Sequence, residues 1–165
     1  MARMAPILLW LLLIAGVAIV LGTSSSLPTT VATHFGAGGR ANGWMSRIGY
    51  QVFYSSLMIG MTFAVHAAFS WLPRSKPHLI NIRNRDYWFA EPRREATIAA
   101  LRLFGVALAL ALVGLFVSIH FLVLEAHAHT PPRLDEGMMF VLMGGFVAVV
   151  IALVVLLNVR FRSGR

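Results

Sequence analysis

The chain has 165 residues, 58% of them hydrophobic and only 12% charged, with a mean hydropathy of +0.76. A typical soluble domain carries about 25% charged residues, and no water-soluble fold of this length can hide so much apolar surface, so lipid must cover part of it. The formal charge of +8 does not point to nucleic acid, because the basic residues sit at the ends of apolar runs, and the absence of cysteine excludes disulfides, thiolate metal ligands and cysteine nucleophiles.

Four apolar stretches are long enough to cross a bilayer core, which needs about 20 helical residues. They run over residues 4–22, 50–72, 97–124 and 137–158. In the first, eleven Leu, Ile and Val residues lie between Ile7 and Leu21. On an insertion scale those alone contribute roughly −3 to −7 kcal/mol. Arg3 ahead of a hydrophobic run also suits a signal peptide, but no A-x-A site comes before Gly22-Thr23-Ser24-Ser25-Ser26, so a retained helix is expected.

The loop at 23–49 follows. Residues 29–35 are rich in β-branched side chains and are expected to be extended. Gly36, Gly38 and Gly39 allow backbone angles that other residues resist, and Asn42-Gly43 is a strong turn signal. Trp44 and Tyr50 stand where an aromatic belt would meet the second span. The glycines do not make a phosphate-binding P-loop, since no G-K-S/T follows them, and no cofactor is expected. A loop histidine such as His34, flanked by Thr33 and Phe35, orders a turn by hydrogen bonding more readily than it catalyses.

Within the spans polar residues are sparse: Ser55, Ser56, Thr62, His66, Ser118, His120 and Asn158. No Asp or Glu lies inside a span, which argues against an ion or proton pathway. Small residues at four-residue spacing are frequent, including Gly60/Ala64, Gly114/Ser118 and Gly144/Ala148. Such pairs allow close helix approach, either within the chain or with a partner.

The loop at 73–96 carries Pro73 and Pro77, then Tyr87, Trp88 and Phe89 among Arg83, Arg85, Arg93 and Arg94. Arginines mixed with aromatics suit an interfacial segment against anionic headgroups, or a docking site for a cytoplasmic protein. Pro92 sits near the first turn of the third helix, with Glu91 and Glu95 complementing its positive end. The loop at 125–136 gathers Glu125, His127 and His129 after His120, and Met138, Met139 and Met143 open the last helix. His120, His127 and His129 are candidate ligands for a borderline metal such as copper, although their spacing matches no recognised ligand frame.

The polar segments alternate in charge. Arg3, Arg74, Lys76, Arg83, Arg85, Arg93, Arg94, Arg160, Arg162 and Arg165 fall on one side, against Arg40, Arg47 and Arg133 on the other. That positive-inside split places both termini in the cytoplasm and the 23–49 and 125–136 loops outside. Arg102, inside the third span, is expected to snorkel to the cytoplasmic interface.

The pattern Leu27-Pro28, Val31, His34-Phe35, Gly39 and Asn42-Gly43-Trp44 resembles the extracytoplasmic module, a domain of unknown function, of SdpI-like bacterial membrane proteins. Ile80 to Ala90, reading INIRNRDYWFA, is similar to a second stretch of that family, and Glu91-Pro92-Arg93-Arg94 follows as an acidic-Pro-Arg-Arg cluster. Together the two matches span about residues 4–100. The resemblance implies a multi-pass protein of the bacterial cytoplasmic membrane, with an immunity or sensing role toward an extracytoplasmic ligand such as a peptide. It carries over no catalytic residue.

The expected fold is an all-α, integral membrane four-helix bundle, N-in/C-in, with a short structured outer loop, forming one membrane domain over 1–165. The expected function is non-enzymatic: a binding or accessory component, either an immunity or sensor protein or a subunit packing against a larger membrane complex or a homo-oligomer. The competing class is a small transporter or channel using His66 and His120. Candidate ligand- or partner-binding residues are His34, Phe35, Asn42, Trp44, Tyr87 and Trp88. No Ser-His-Asp/Glu constellation or carboxylate pair suggests an enzyme.

Overall fold

The computed structural model describes residues 4–162. Arg3 and Arg165, which entered the charge count above, lie outside the described residues. The chain is mostly helical: α1 (Met4–Thr23), α2 (Arg47–Ser70), the short α3 (Leu72–Ser75) and α4 (Arg85–Phe89), then α5 (Arg94–Ala126) and α6 (Glu136–Arg160). Four helical segments, Met4–Ser26, Arg47–Ser75, Arg94–Ala126 and Glu136–Arg160, are long and apolar enough to cross a membrane. Each contains or nearly contains one of the four expected stretches, because an uninterrupted apolar run leaves the backbone no alternative to internal hydrogen bonding in lipid.

The helix ends are set by local chemistry. Ser46 accepts a hydrogen bond from the Gly49 amide and caps α2. Asp135 does the same for α6 through the Met138 amide, with Glu136 in the first turn and Arg160 in the last, each favoured by the helix dipole. At 33 residues α5 is about 50 Å long, and α1, α2 and α6 all pack against it. The core between α1, α2 and α5 holds Leu13, Val20, Tyr54, Met58, Val113 and Phe116. By contrast α6 contributes no buried residue.

Helix contacts within the chain do not use the expected small-residue pairs. A side chain at Gly60, Gly114 or Gly144 would meet nothing. Close approach occurs instead at Gly16, where an added Cβ would press on Val117 and Val113, and at Gly105, where it would collide with Phe69. Four-residue spacing marks a face that permits contact, and which face is used depends on what opposes it.

The all-α expectation gives way in the loop after α1. Residues β1 (Thr30–Phe35) and β2 (Ala41–Ser46) form an antiparallel hairpin, pairing Thr30 with Ser46, Val31 with Met45, Ala32 with Trp44, His34 with Gly43 and Phe35 with Ala41. Thr33 and Asn42 fall at the two irregularities in that register. The β-branched run becomes β1 as its pattern suggests. Asn42-Gly43 is not the turn: it lies within β2, and the chain reverses at Gly36–Arg40. Gly43 is required there for a different reason, since a Cβ would come within 2.8 Å of His34 Cβ.

The turn is fastened to the connection between α5 and α6. Gly38 donates its amide to Glu136 Oε1 at 2.9 Å and accepts from Arg133 Nε at 3.0 Å. Gly39 accepts from the Leu134 amide at 2.9 Å, and Arg40 bridges to Arg133. Gly38 and Gly39 both have positive φ, +74° and +68°. Only at Gly39 would a Cβ also collide with the Leu134 carbonyl, whereas at Gly38 it would meet open space. Gly38→Ala therefore carries only the left-handed backbone penalty, about 1–2 kcal/mol, while Gly39→Ala must in addition push the α5–α6 connection away. Thermal unfolding in detergent is expected to show the larger loss for Gly39→Ala, and equal losses would contradict this packing.

Candidate functional site

Beneath the hairpin, three helices meet on one side chain. His120 of α5 is fully buried at 0% exposure. Its Nε2 lies 2.7 Å from Thr23 Oγ1 of α1, and its Nδ1 lies 2.8 Å from the Tyr50 hydroxyl of α2. Thr23 donates its one hydroxyl proton to the Ile19 carbonyl at 2.6 Å, so toward His120 it accepts. His120 is accordingly assigned the neutral Nε2–H tautomer, with Nδ1 accepting from Tyr50. The Tyr50 ring stacks on the imidazole at 5.9 Å, and the Tyr54 hydroxyl donates to the Phe116 carbonyl at 2.6 Å.

His127 ties the hairpin to the end of α5 in a similar way. Its Nδ1 donates to the Val123 carbonyl at 2.7 Å, and its Nε2 accepts from the Ala32 amide at 3.0 Å. Both nitrogens of His120 and of His127 are thus committed to structural hydrogen bonds, while His129 is exposed. The three candidate metal ligands are not brought to a common point, and no group of three or more His, Cys, Asp or Glu among the described residues is arranged to hold a metal. Of the acids beside His129, Glu136 is engaged with Gly38 and Asp135 with the α6 cap. Met139 packs with Phe35, Leu122 and Leu134.

The candidates on the hairpin divide. His34 is exposed on β1, its Nδ1 3.3 Å from Thr33 Oγ1. Phe35 packs into the cluster of Leu122, Ala126 and Leu134. Asn42 lies over Gly36, where a Cβ would meet its amide nitrogen at 2.9 Å. Trp44 is 50% exposed. It lines an open cleft of about 540 Å³ together with Arg40, His129, Thr130, Pro131 and Arg133. This cleft exists because the Gly36–Arg40 turn is pinned to Arg133 and Leu134, which holds β2 against the α5–α6 connection. Two arginines, an indole and prolines offer charge complementarity for an anion and flat apolar surface for a side chain. Sequence reasoning found Trp44 but missed Arg40, Arg133 and the prolines, whose partner segment is some ninety residues away.

At the opposite end of the helices, the Tyr-Trp-Phe cluster is not exposed as expected. Trp88 is buried among Leu101 and Phe161 and donates its indole N–H to the Phe161 carbonyl at 3.2 Å. Thr97 donates to the Trp88 carbonyl at 2.8 Å. The Arg93 guanidinium covers the half-buried Tyr87 ring at 3.8 Å. These aromatics close the end of α6 onto α5, because a buried indole must find an acceptor and the frayed helix terminus supplies one.

Residues 10–59 match the family model described as a domain of unknown function (DUF1648). The match covers about a third of the chain, from α1 through the hairpin into α2. No curated protein and no solved structure matches the chain.

Removing either partner of His120 leaves a buried ring nitrogen unpaired. Tyr50→Phe and Thr23→Ala are each expected to cost about 1–3 kcal/mol in denaturant unfolding in micelles. His120→Ala should cost more through the added cavity, and combining it with Tyr50→Phe should be markedly non-additive. Additive losses would show that the triad is not a unit.

Proposed function

We propose that this chain is a non-enzymatic bacterial membrane protein that binds an extracytoplasmic ligand, in an immunity or sensing role, with the cleft under the hairpin as its binding surface. The observation that carries this reading is the cleft itself: Arg40, Arg133, His129 and Trp44 gathered from two distant segments around about 540 Å³. The ligand it suits is a peptide with a carboxylate or acidic side chain to meet the arginines and an apolar group to lie on Trp44.

The placement rests on charge. Arg74, Lys76, Arg83, Arg85, Arg93, Arg94, Arg160 and Arg162 lie at the end away from the hairpin, and Arg40, Arg47 and Arg133 lie at the hairpin end. By the positive-inside tendency the hairpin end faces outward, giving a four-helix bundle with both termini in the cytoplasm.

A second reading, a subunit packed against a larger membrane complex, is favoured by α6. None of its residues is buried, and Gly144 and Gly145 face open space, a surface on which another helix fits closely.

The experiment is photo-crosslinking in native membranes with a photoreactive phenylalanine analogue at Trp44, and at Ile14 as a lipid-facing control. A small peptide adduct at Trp44 that is lost in Arg40→Gln is the expected result. No adduct at Trp44, together with a stoichiometric membrane protein cross-linked from Phe140 of α6, would replace the sensor reading with the subunit reading.

A further inference from the structure

Four buried side-chain atoms have no hydrogen-bond partner among the described residues: Ser55 Oγ, Thr62 Oγ1, His66 Nδ1 and Arg102 Nε. Arg102 differs from the rest in carrying a fixed charge. It lies eight residues beyond Arg94, the first residue of α5, about 12 Å along the helix axis. No ion pair to it occurs among the described residues. His66, within electrostatic reach, brings no negative charge. A cation at that depth without a counter-charge is costly, and so is a buried donor without an acceptor.

Arg102 lines a pocket of about 120 Å³ between the start of α1 and the first turns of α5. Its walls are apolar, formed by Ala5, Pro6, Ala99, Leu103 and Val106, with Arg74 and Glu95 completing it. Glu95 does not neutralise Arg102: it is engaged with Arg74 at 3.0 Å, where both side chains are more than half exposed. Arg94 adds further positive charge nearby by donating to the Arg74 carbonyl at 3.3 Å. Leu103, 55% exposed, carries the apolar wall out onto the surface that lipid would cover. The pocket has room for a few waters or one tetrahedral anion, and its wall continues as hydrocarbon-compatible surface.

We propose that this pocket holds the phosphate of an anionic phospholipid headgroup, with Arg102 as its charge partner and the acyl chains running along the exposed Leu103. Arg102 is half-buried, with its Nε enclosed and unpartnered, and phosphate chemistry supplies what it lacks, namely negative charge and several acceptor oxygens. Basic pockets between spanning helices take headgroups for the same reason. A soluble phosphate would satisfy the charge but would leave the apolar wall unused.

Native mass spectrometry of the full chain in mild detergent tests this, with phosphatidylglycerol and phosphatidylcholine offered in turn. Wild type should retain phosphatidylglycerol preferentially, Arg102→Gln should retain it roughly fivefold less, and Arg102→Lys should restore most of the difference. Ala99→Leu, which fills the pocket and keeps every charge, should reduce retention as well. Arg102-dependent binding of inorganic phosphate without phosphatidylglycerol retention would overturn the lipid assignment in favour of a soluble anion. Equal phosphatidylglycerol retention by wild type and by Arg102→Gln of unchanged thermal stability would overturn the site.

Discussion

His120 is the point on which the packing of three helices depends. An imidazole in an apolar interior has two nitrogens to satisfy, and here one is met by the last residue of α1 and the other by Tyr50 near the start of α2. Because each bond is directional, the pair fixes the rotation of all three helices as well as their spacing, which apolar contacts alone leave loosely specified. The hairpin then inherits its position: Val31 is buried in the same core cluster as Tyr50, and Ala32 is held by His127 two turns further along α5. The cleft between β2 and the α5–α6 connection is the outward end of this chain of constraints.

Much of the architecture was legible because lipid imposes a simple rule. Long apolar runs become helices, so the four spans could be located to within a few residues, and the β-branched run from Thr30 to Phe35 became a strand. The histidines were not legible. An intramembrane histidine reads alike as a metal ligand or a transport site, whereas the hydrogen bonds His120 makes are to Thr23 and Tyr50, 97 and 70 residues away in sequence. Trp88 was misjudged for a related reason. Arginines around an aromatic suggest a surface, yet the acceptor for its indole is Phe161, at the far end of the chain. The Asn42-Gly43 pair shows the limit of a local rule, since glycine serves there to admit His34 rather than to reverse the backbone.

The spanning helices differ in how much they owe to their neighbours. Much of the face of α5 is buried, whereas α6 has no fully buried residue, although Leu142 and Phe146 pack partly buried against the core clusters. At one end the hairpin turn binds Glu136 and Leu134, and at the other Trp88 closes on Phe161. A helix fastened at both ends and packed along one side keeps the rest of its surface open to whatever surrounds it.

The tie between the Gly36–Arg40 turn and Leu134 also sets when the hairpin can dock during synthesis. An isolated two-stranded hairpin is marginally stable in water. This one emerges early in translation, and its fastening residues follow about a hundred positions later. Closing so long a loop adds little entropic cost beyond a shorter one, but it cannot happen until α5 and the connection after it have been inserted. The hairpin therefore waits, incompletely docked, through the synthesis of two further long apolar helices, α2 and α5. The stretch that matches a family model ends at residue 59, so it takes in the hairpin but not Arg133, Leu134 and Glu136, which fasten it.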